Sequence, residues 1–236
     1  MKKKGILIYG LQRSGTNFLE NLLKKNYYIT ILNENAERSS PGQKHFRLYD
    51  QKDIIPRQHY YNDYQYNTFF EFEKSLTDIP DGYLIISKDP YSWHLSYKNW
   101  AMRCNWPDVE HHYIQEYNLF YRKWLDFSQT TDRISFIRYI DLLRMPDVEL
   151  EKISIRIGLK GRLISTFISN QIPRVSHSDI FTKRRREYYL KQQYLDEYQP
   201  YDLDEINSLL DDSVVNDLGY QKEDQISKKN INLSVK

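Results

Sequence analysis

The segment Gly10-Leu11-Gln12-Arg13-Ser14-Gly15-Thr16-Asn17 clusters a cation and several short polar side chains around two glycines. Between a strand and a helix, such a loop turns several backbone N–H groups toward one point. That point lies beside the positive end of the helix dipole, a geometry that binds phosphate or sulfate. Gly10 and Gly15 have the spacing of the ATP-binding loop GxxxxGK[ST], whose Lys reaches the β/γ-phosphates and whose Ser/Thr holds Mg²⁺. Here Thr16 stands in place of the Lys and Asn17 in place of the Ser/Thr, and the cation comes earlier, at Arg13. The loop predicts an anion site that does not hold Mg-ATP in the usual way. The plainer alternative is a glycine turn that only joins strand to helix.

The elements around the loop supply that setting. Lys4 to Tyr9 is a short apolar, β-branched run, as a buried strand needs. From Thr16 to Lys25, Phe18/Leu22 and Leu19/Leu23 fall at i,i+4 and predict a helix with one apolar face. A second strand is expected over Tyr27 to Leu32. Strand, glycine loop, helix and strand within one short stretch make a βαβ unit and imply a parallel sheet. Further strands are expected at Lys44 to Leu48, Tyr83 to Ser87 and Ile134 to Tyr139. Helices are expected at Thr68 to Leu76, Pro90 to Ala101, Val109 to Phe127, Val148 to Ile157, Thr182 to Tyr198 and Leu203 to Leu218. Pro90 suits the first position of its helix. Gly158 and Gly219 are expected stops, and Asp202 with Glu205 resembles a capping box. Trp93, Tyr97 and Trp100, and then Tyr113, Tyr117, Phe120, Tyr121 and Trp124, form aromatic stripes that read as core. The expected fold is α/β: three layers, with a central parallel sheet flanked by helices. It spans 1–220 as one domain. Residues 49–67 are expected as a lid or acceptor-side insertion, and the polar stretch 221–236 as a frayed tail.

Two later segments complete a family pattern. Together with the loop, Lys88-Asp89-Pro90-Tyr-Ser-Trp-His-Leu-Ser96 and Ile137-Arg138-Tyr139-Ile140-Asp141-Leu142-Leu143 followed by Pro146 and Gly158-Leu159 resemble the P-loop sulfotransferases, here of the bacterial or viral type. These enzymes use 3′-phosphoadenosine 5′-phosphosulfate (PAPS). The pieces cover about residues 4 to 220, in family order. The resemblance implies that Arg13, Ser14, Gly15, Thr16 and Asn17 hold the 5′-phosphosulfate and that Lys88 and Ser96 hold the 3′-phosphate. Tyr139 lies near the adenine by the same resemblance, or is a buried strand-end tyrosine. The family usually has Arg where Lys88 stands, a fork replaced here by a point charge. It has Glu where Ile140 stands.

Sulfuryl transfer works by positioning and electrostatic stabilisation. It needs a base for the acceptor and a cation at the leaving oxygen. Arg13 is placed for the cation. For the base, many family members carry a Lys-Thr-His segment between the first two motifs, and here Lys44-His45 stand adjacent. On a regular strand neighbours point to opposite faces, so both serve one site only where the backbone is irregular. His45 is the candidate base, against a surface or structural histidine, and Glu20 on the helix after the loop is the fallback. Lys183 to Arg186 reads as a solvated helix face or as a contact to the nucleotide or an anionic acceptor.

Composition narrows the classes. The chain has 236 residues, with 34 Lys plus Arg against 32 Asp plus Glu, a net charge of +2. That balance speaks against a polybasic nucleic-acid binder. One cysteine, Cys104, forms neither an internal disulfide nor a zinc cluster, as fits a reducing compartment. No stretch approaches the length of a membrane span, and Gly5 to Leu11 is too short for a secretory leader. These features predict a cytoplasmic protein without nucleic acid or membrane partners. The loop, with Thr16 and Asn17 at the Walker positions, predicts no metal, and the resemblance implies PAPS as cofactor, 3′,5′-ADP as product and a small-molecule or glycan acceptor. Two alternatives remain: a nucleotide or nucleoside kinase, and a nucleotide-binding protein of this fold without activity. The 21 tyrosines, against alanine only at 36 and 101, read as compositional drift.

Overall fold

The computed structural model describes residues 3–37, 40–48, 66–106, 111–161, 172–173, 180–181 and 183–223. The expected lid at 49–67 and the tail from 221 lie largely outside these. Among the described residues, strands β1 (Lys4–Tyr9), β2 (Ile29–Ile31), β3 (Gly82–Ser87) and β4 (Ile134–Arg138) form one parallel sheet in the order β2-β1-β3-β4. The central strands are buried on both faces, as a sheet covered by helices requires. Ile6 to Tyr9 and all of β3 lie inside. Where β2 ends, buried Asn33 takes over its pairing with β1: its Oδ1 accepts from Ile8 N at 3.2 Å and its Nδ2 donates to Ile8 O at 2.7 Å.

Helices flank this sheet: α1 (Thr16–Asn26), α2 (Phe69–Lys74), α3 (Pro90–Arg103), α4 (Tyr113–Ser128), α5 (Tyr139–Arg144) and α6 (Pro146–Ile157). A two-residue antiparallel ladder pairs β5 (Ile172–Pro173) with β6 (Ile180–Phe181). Helices α7 (Lys183–Leu190), α8 (Pro200–Leu209) and α9 (Asp212–Asp217) follow. No helix among the described residues is long and apolar enough to cross a membrane.

Most aromatic-stripe residues are core, but tyrosine does more here than fill volume. Tyr9, Phe72, Tyr83, Trp124 and Phe127 pack edge-to-face or tilted beneath the sheet. At the carboxyl end of β3, the Tyr121 hydroxyl donates to Ile86 O at 2.9 Å and the Tyr117 hydroxyl to Lys88 O at 2.9 Å. The Tyr220 hydroxyl meets Ser87 Oγ at 3.2 Å. These hydroxyls satisfy polar groups where the ladder ends, so the burial is not bought with orphaned carbonyls.

Five sequence expectations need correction. Lys44 to Leu48 is not a strand: residues 40–45 are successive turns closed by Gln43 N→Ser40 O and Phe46 N→Gln43 O. His111 and His112 precede α4, and the His112 side chain caps it by accepting from Ile114 N. The helix expected over 182–198 breaks at Gln192, in the left-handed region, and continues as a 3₁₀ turn over Gln193–Glu197. The helix expected over 203–218 is two, because Asp211 accepts from Ser213 N and Val214 N and starts a new helix there. The cap of α8 is made by Gln199 with Asp202 rather than by Asp202 with Glu205. Gly158 and Gly219 do end their elements in the left-handed region.

Candidate active site

The order β2-β1-β3-β4 puts the point where the strand order reverses between the parallel neighbours β1 and β3. Ligands of open α/β sheets bind outside the carboxyl ends at such a point. The loop after β1 and the Lys88–Pro90 turn after β3 therefore stand side by side, as the sequence motifs require.

The loop is shaped by what a side chain would hit. A Cβ on Gly10 would lie 2.5 Å from Ser14 Oγ and 2.7 Å from the Ile86 carbonyl oxygen. One on Gly15, at φ +107°, would lie 2.5 Å from the Tyr139 ring. Both positions exclude any larger residue without displacement of the neighbours. Arg13 also adopts a left-handed backbone, at φ 72°, a strained conformation for a residue with a side chain. The amides of Gly15, Thr16 and Asn17 have no backbone acceptor among the described residues. Ser14 Oγ is fully buried and meets no hydrogen-bond partner there, although the Tyr121 hydroxyl that donates to Ile86 O lies close. An orphaned hydroxyl inside a cradle of unpaired amides fits an oxyanion.

The turns at 40–45 bring Lys44 and His45 to the same loop, which a regular strand would not do. Gly10 N donates to Lys44 O at 3.0 Å, and His45 Nδ1 lies 2.7 Å from Gly10 O. Since a carbonyl only accepts, Nδ1 carries the proton and Nε2 is left with the lone pair. Burial, aided by the charges of Lys44 and Arg47, lowers His45 to about 3. It is neutral at physiological pH. Lys44 Nζ donates to Asn17 Oδ1 at 2.6 Å and stands 3.7 Å from Glu20 Oε2, while Lys24 Nζ donates to Glu20 Oε1 at 2.7 Å. Glu20, buried against two lysines, faces the base of the loop.

Beyond β3, Lys88 is 3% exposed. Its Nζ donates to Ser96 Oγ at 2.7 Å and to the Tyr189 hydroxyl at 3.1 Å. About two turns of α3 separate Asp89, whose side chain caps the helix through Ser92 N, from Ser96. Nζ also sits 4.2 Å above the Tyr189 ring and 5.6 Å from that of Tyr139. Burial lowers the Lys88 ammonium against the opposing pull of Tyr189. Burial pushes the Tyr189 hydroxyl up, but Lys88 and Arg185 override it and bring it down to about 7. Tyr139 packs between the loop and this corner, edge-on to Phe18 and to Tyr189.

Arg13 of the loop and Ser96 and Tyr189 of the corner line one cavity of about 410 Å³, with Trp100, Arg103, Arg184, Arg185, Tyr188 and Glu197 among its other walls. The Arg13 guanidinium lies 4.9 Å from the centre of the Trp100 ring. Trp100, expected as core from its spacing, thus faces this cavity. The run at 183–186 is not simply solvated: Arg184 and Arg185 line the cavity, and Arg186 Nε donates to Leu143 O at 2.6 Å, capping α5. The structure therefore brings Arg13, Ser14, Gly15, Thr16, Asn17, Lys44 and His45 together at the loop, and Lys88, Ser96 and Tyr139 beside it. Sequence reasoning missed Tyr189, which follows the basic run at a helical position. It also missed Arg103, at the end of α3 two turns beyond Ser96.

No protein-family model and no curated protein sequence matches the chain. Among solved structures the chain is similar to mouse sulfotransferase SULT7A1 complexed with PAP, with 13% sequence identity and a TM-score of 0.49, over 89% of this chain and 84% of that chain.

Proposed function

We propose that the protein is a PAPS-dependent sulfotransferase that moves a sulfuryl group to a hydroxyl or amine of its acceptor. The observation that supports this reading is the juxtaposition, at the ends of adjacent strands, of a loop with amide donors and a buried lysine corner, beside one arginine-lined cavity that Arg13, Ser96 and Tyr189 reach, with Thr16 and Asn17 replacing the Lys and Ser/Thr of an ATP site. A ligand with two separate phosphate groups uses both devices. Mg-ATP would find neither its lysine nor its magnesium-holding hydroxyl at the loop.

When bound, PAPS would supply an activated sulfuryl group. The amides of Gly15 to Asn17, the Ser14 hydroxyl and the N-terminus of α1 would hold its 5′ end. Lys88, Ser96, Arg184 and Arg185 would hold the 3′-phosphate. Arg13 would supply positive charge toward the departing oxygen from within the loop. His45, fixed by its Nδ1–H bond to Gly10 O, presents Nε2 as acceptor for the proton of the attacking group. At about 3 it is a weak base in the protein alone. Anionic charge held in the adjacent loop would oppose Lys44 and Arg47 and raise it. Lys44, anchored on Asn17, adds positive charge on the same side. A glycan is one acceptor class this chemistry would serve, and the compartment we propose is the cytoplasm.

A thermal-shift comparison tests the reading, because stabilisation grows with ligand concentration over Kd. Stabilisation by 3′,5′-ADP in excess EDTA, with little from Mg-ATP, is expected. Preference for Mg-ATP with strict metal dependence would favour the kinase and overturn it.

A further inference from the structure

The loop and His45 belong to different parts of the chain, yet catalysis would need them at a fixed separation. We propose that Arg47 is the positioning residue that sets this separation, without itself touching a ligand; the role rests on the loop and His45 being the active site proposed above. The Arg47 side chain is buried, with 4% of the residue exposed. Its NH1 donates to Gln12 Oε1, in the loop, and to His45 O, each at 2.7 Å. Its NH2 donates to Glu116 Oε2 at 2.8 Å and lies 3.3 Å from the Tyr97 hydroxyl. One planar fork thus ties the loop, the 45–47 segment, α3 and α4, and a lysine's point charge has no such geometry.

The surroundings hold the fork in place. Glu116 is 2% exposed. Its Oε2 also accepts from the Tyr97 hydroxyl at 3.2 Å, and its Oε1 lies 3.1 Å from His111 Nε2. Burial alone raises a carboxyl, but His111 and Arg47 bring Glu116 below its usual value. The loop is pinned a second time at Gln12, whose carbonyl accepts from Trp93 Nε1 at 2.9 Å. Stability gives a poor account of such a pair, since replacing both partners of a buried ion pair by apolar residues is often neutral or stabilising. What an apolar pair would not replace are the NH1 bonds to Gln12 and His45. Those bonds tie Gln12, farther along the loop, to the His45 backbone, beside the direct bonds of Lys44 and His45 to Gly10.

The test compares wild type with Arg47→Lys and with the double variant Arg47→Met/Glu116→Leu. It reads the thermal midpoint, hydrogen exchange of the bonded loop amides of Gly10 and Ser14 in the unliganded protein, and affinity for 3′,5′-ADP. The double variant should keep the midpoint while the loop amides exchange about tenfold faster or more and affinity drops by a similar factor. Arg47→Lys should show the same loop effects with the charge retained. Wild-type exchange and affinity in a folded double variant would overturn the proposal. Should that variant not fold, unchanged loop exchange in Arg47→Lys would overturn it, and faster exchange would support it. Failure of the wild type to bind 3′,5′-ADP would strike the nucleotide reading alone, because loop exchange still decides the role of Arg47.

Discussion

The two corners proposed to hold anions are built from different materials. After β1 the proposed binding groups are backbone amides and hydroxyls, and the conformation is made possible by Gly10 and Gly15 and by the left-handed Arg13. After β3 the proposed binding group is a side chain, Lys88, kept inside the protein and partnered by Ser96 and Tyr189. A backbone cradle carries no full charge to desolvate, and its cost is conformational. A buried ammonium must find partners even when no ligand is present. The loop should therefore fail through sterics and geometry, and the β3 corner through electrostatics.

The largest effect is expected at the loop's own edge. His45→Ala should lower turnover by about 10²–10⁴ while leaving 3′,5′-ADP affinity near that of wild type. Steady-state rates with an acceptor, set beside calorimetric affinity, would separate the two. Equal turnover would move the base to Glu20, whose carboxylate would first have to leave Lys24. Next comes the glycine that defines the cradle. Gly10→Ala would push a methyl against the Ile86 carbonyl, at 2.7 Å in the present geometry, and backbone there has no easy way to yield. A loss of about 1–3 kcal/mol in unfolding free energy is expected, together with loss of nucleotide binding. Urea unfolding would measure it, and a wild-type midpoint would mean that the loop is softer than a steric cradle.

Lys88→Ala tests the other corner and should act through affinity alone. Losing a charge-assisted contact costs roughly 1.5–3 kcal/mol, about a 10- to 150-fold weaker Kd for 3′,5′-ADP. Binding of a ligand with only a 5′-phosphate should change little. If both ligands weaken equally, Lys88 serves the loop rather than a second phosphate.

The same contrast explains what the sequence discloses. The loop half is legible because glycine spacing and residue order encode backbone conformation directly. β1 runs over Lys4–Tyr9, as its apolar run predicts, and α1 starts at Thr16. Where a position depends on distant partners, spacing misleads. Trp100 has the i,i+7 spacing of a core residue but faces the cavity under Arg13. Arg47 lies in no motif, because what gives it meaning is Gln12, 35 residues away, and Glu116, 69 residues away. The Lys44–Leu48 stretch alternates enough to predict a strand. Its turns follow from Ser40 and Gln43 taking local backbone bonds, the very irregularity that two adjacent functional side chains need.

A smaller difference between the corners should appear in the pH dependence of stability. The loop half holds His45, lowered to about 3 by burial. The α3 half holds two groups of opposite sense: His94, also lowered to about 3 by burial, and Asp89, raised to about 6 mainly by burial. For a histidine lowered from an ordinary value near 6.5, the unfolded chain takes up a proton that the native protein refuses. The stability it contributes is present above pH 6.5 and is lost as pH falls toward 3. For Asp89 the native protein holds the proton longer than the unfolded chain does. Its contribution is full below about 3.8 and is lost as pH rises through 6. Between pH 4.5 and 5.5 each group changes the slope by up to about 1.4 kcal/mol per pH unit, the two histidines in one direction and Asp89 in the other. His45→Gln and His94→Gln should each flatten the fall in stability on acidification, and Asp89→Asn should steepen it. The slope is read as the difference between variant and wild type, so that groups common to both cancel. The α3 half should then be the less pH-sensitive of the two, since its two groups oppose each other within one helix start. A double variant His94→Gln/Asp89→Asn whose slope departs from that of wild type by as much as His45→Gln does would show that this cancellation is absent and that the corners do not differ in this respect.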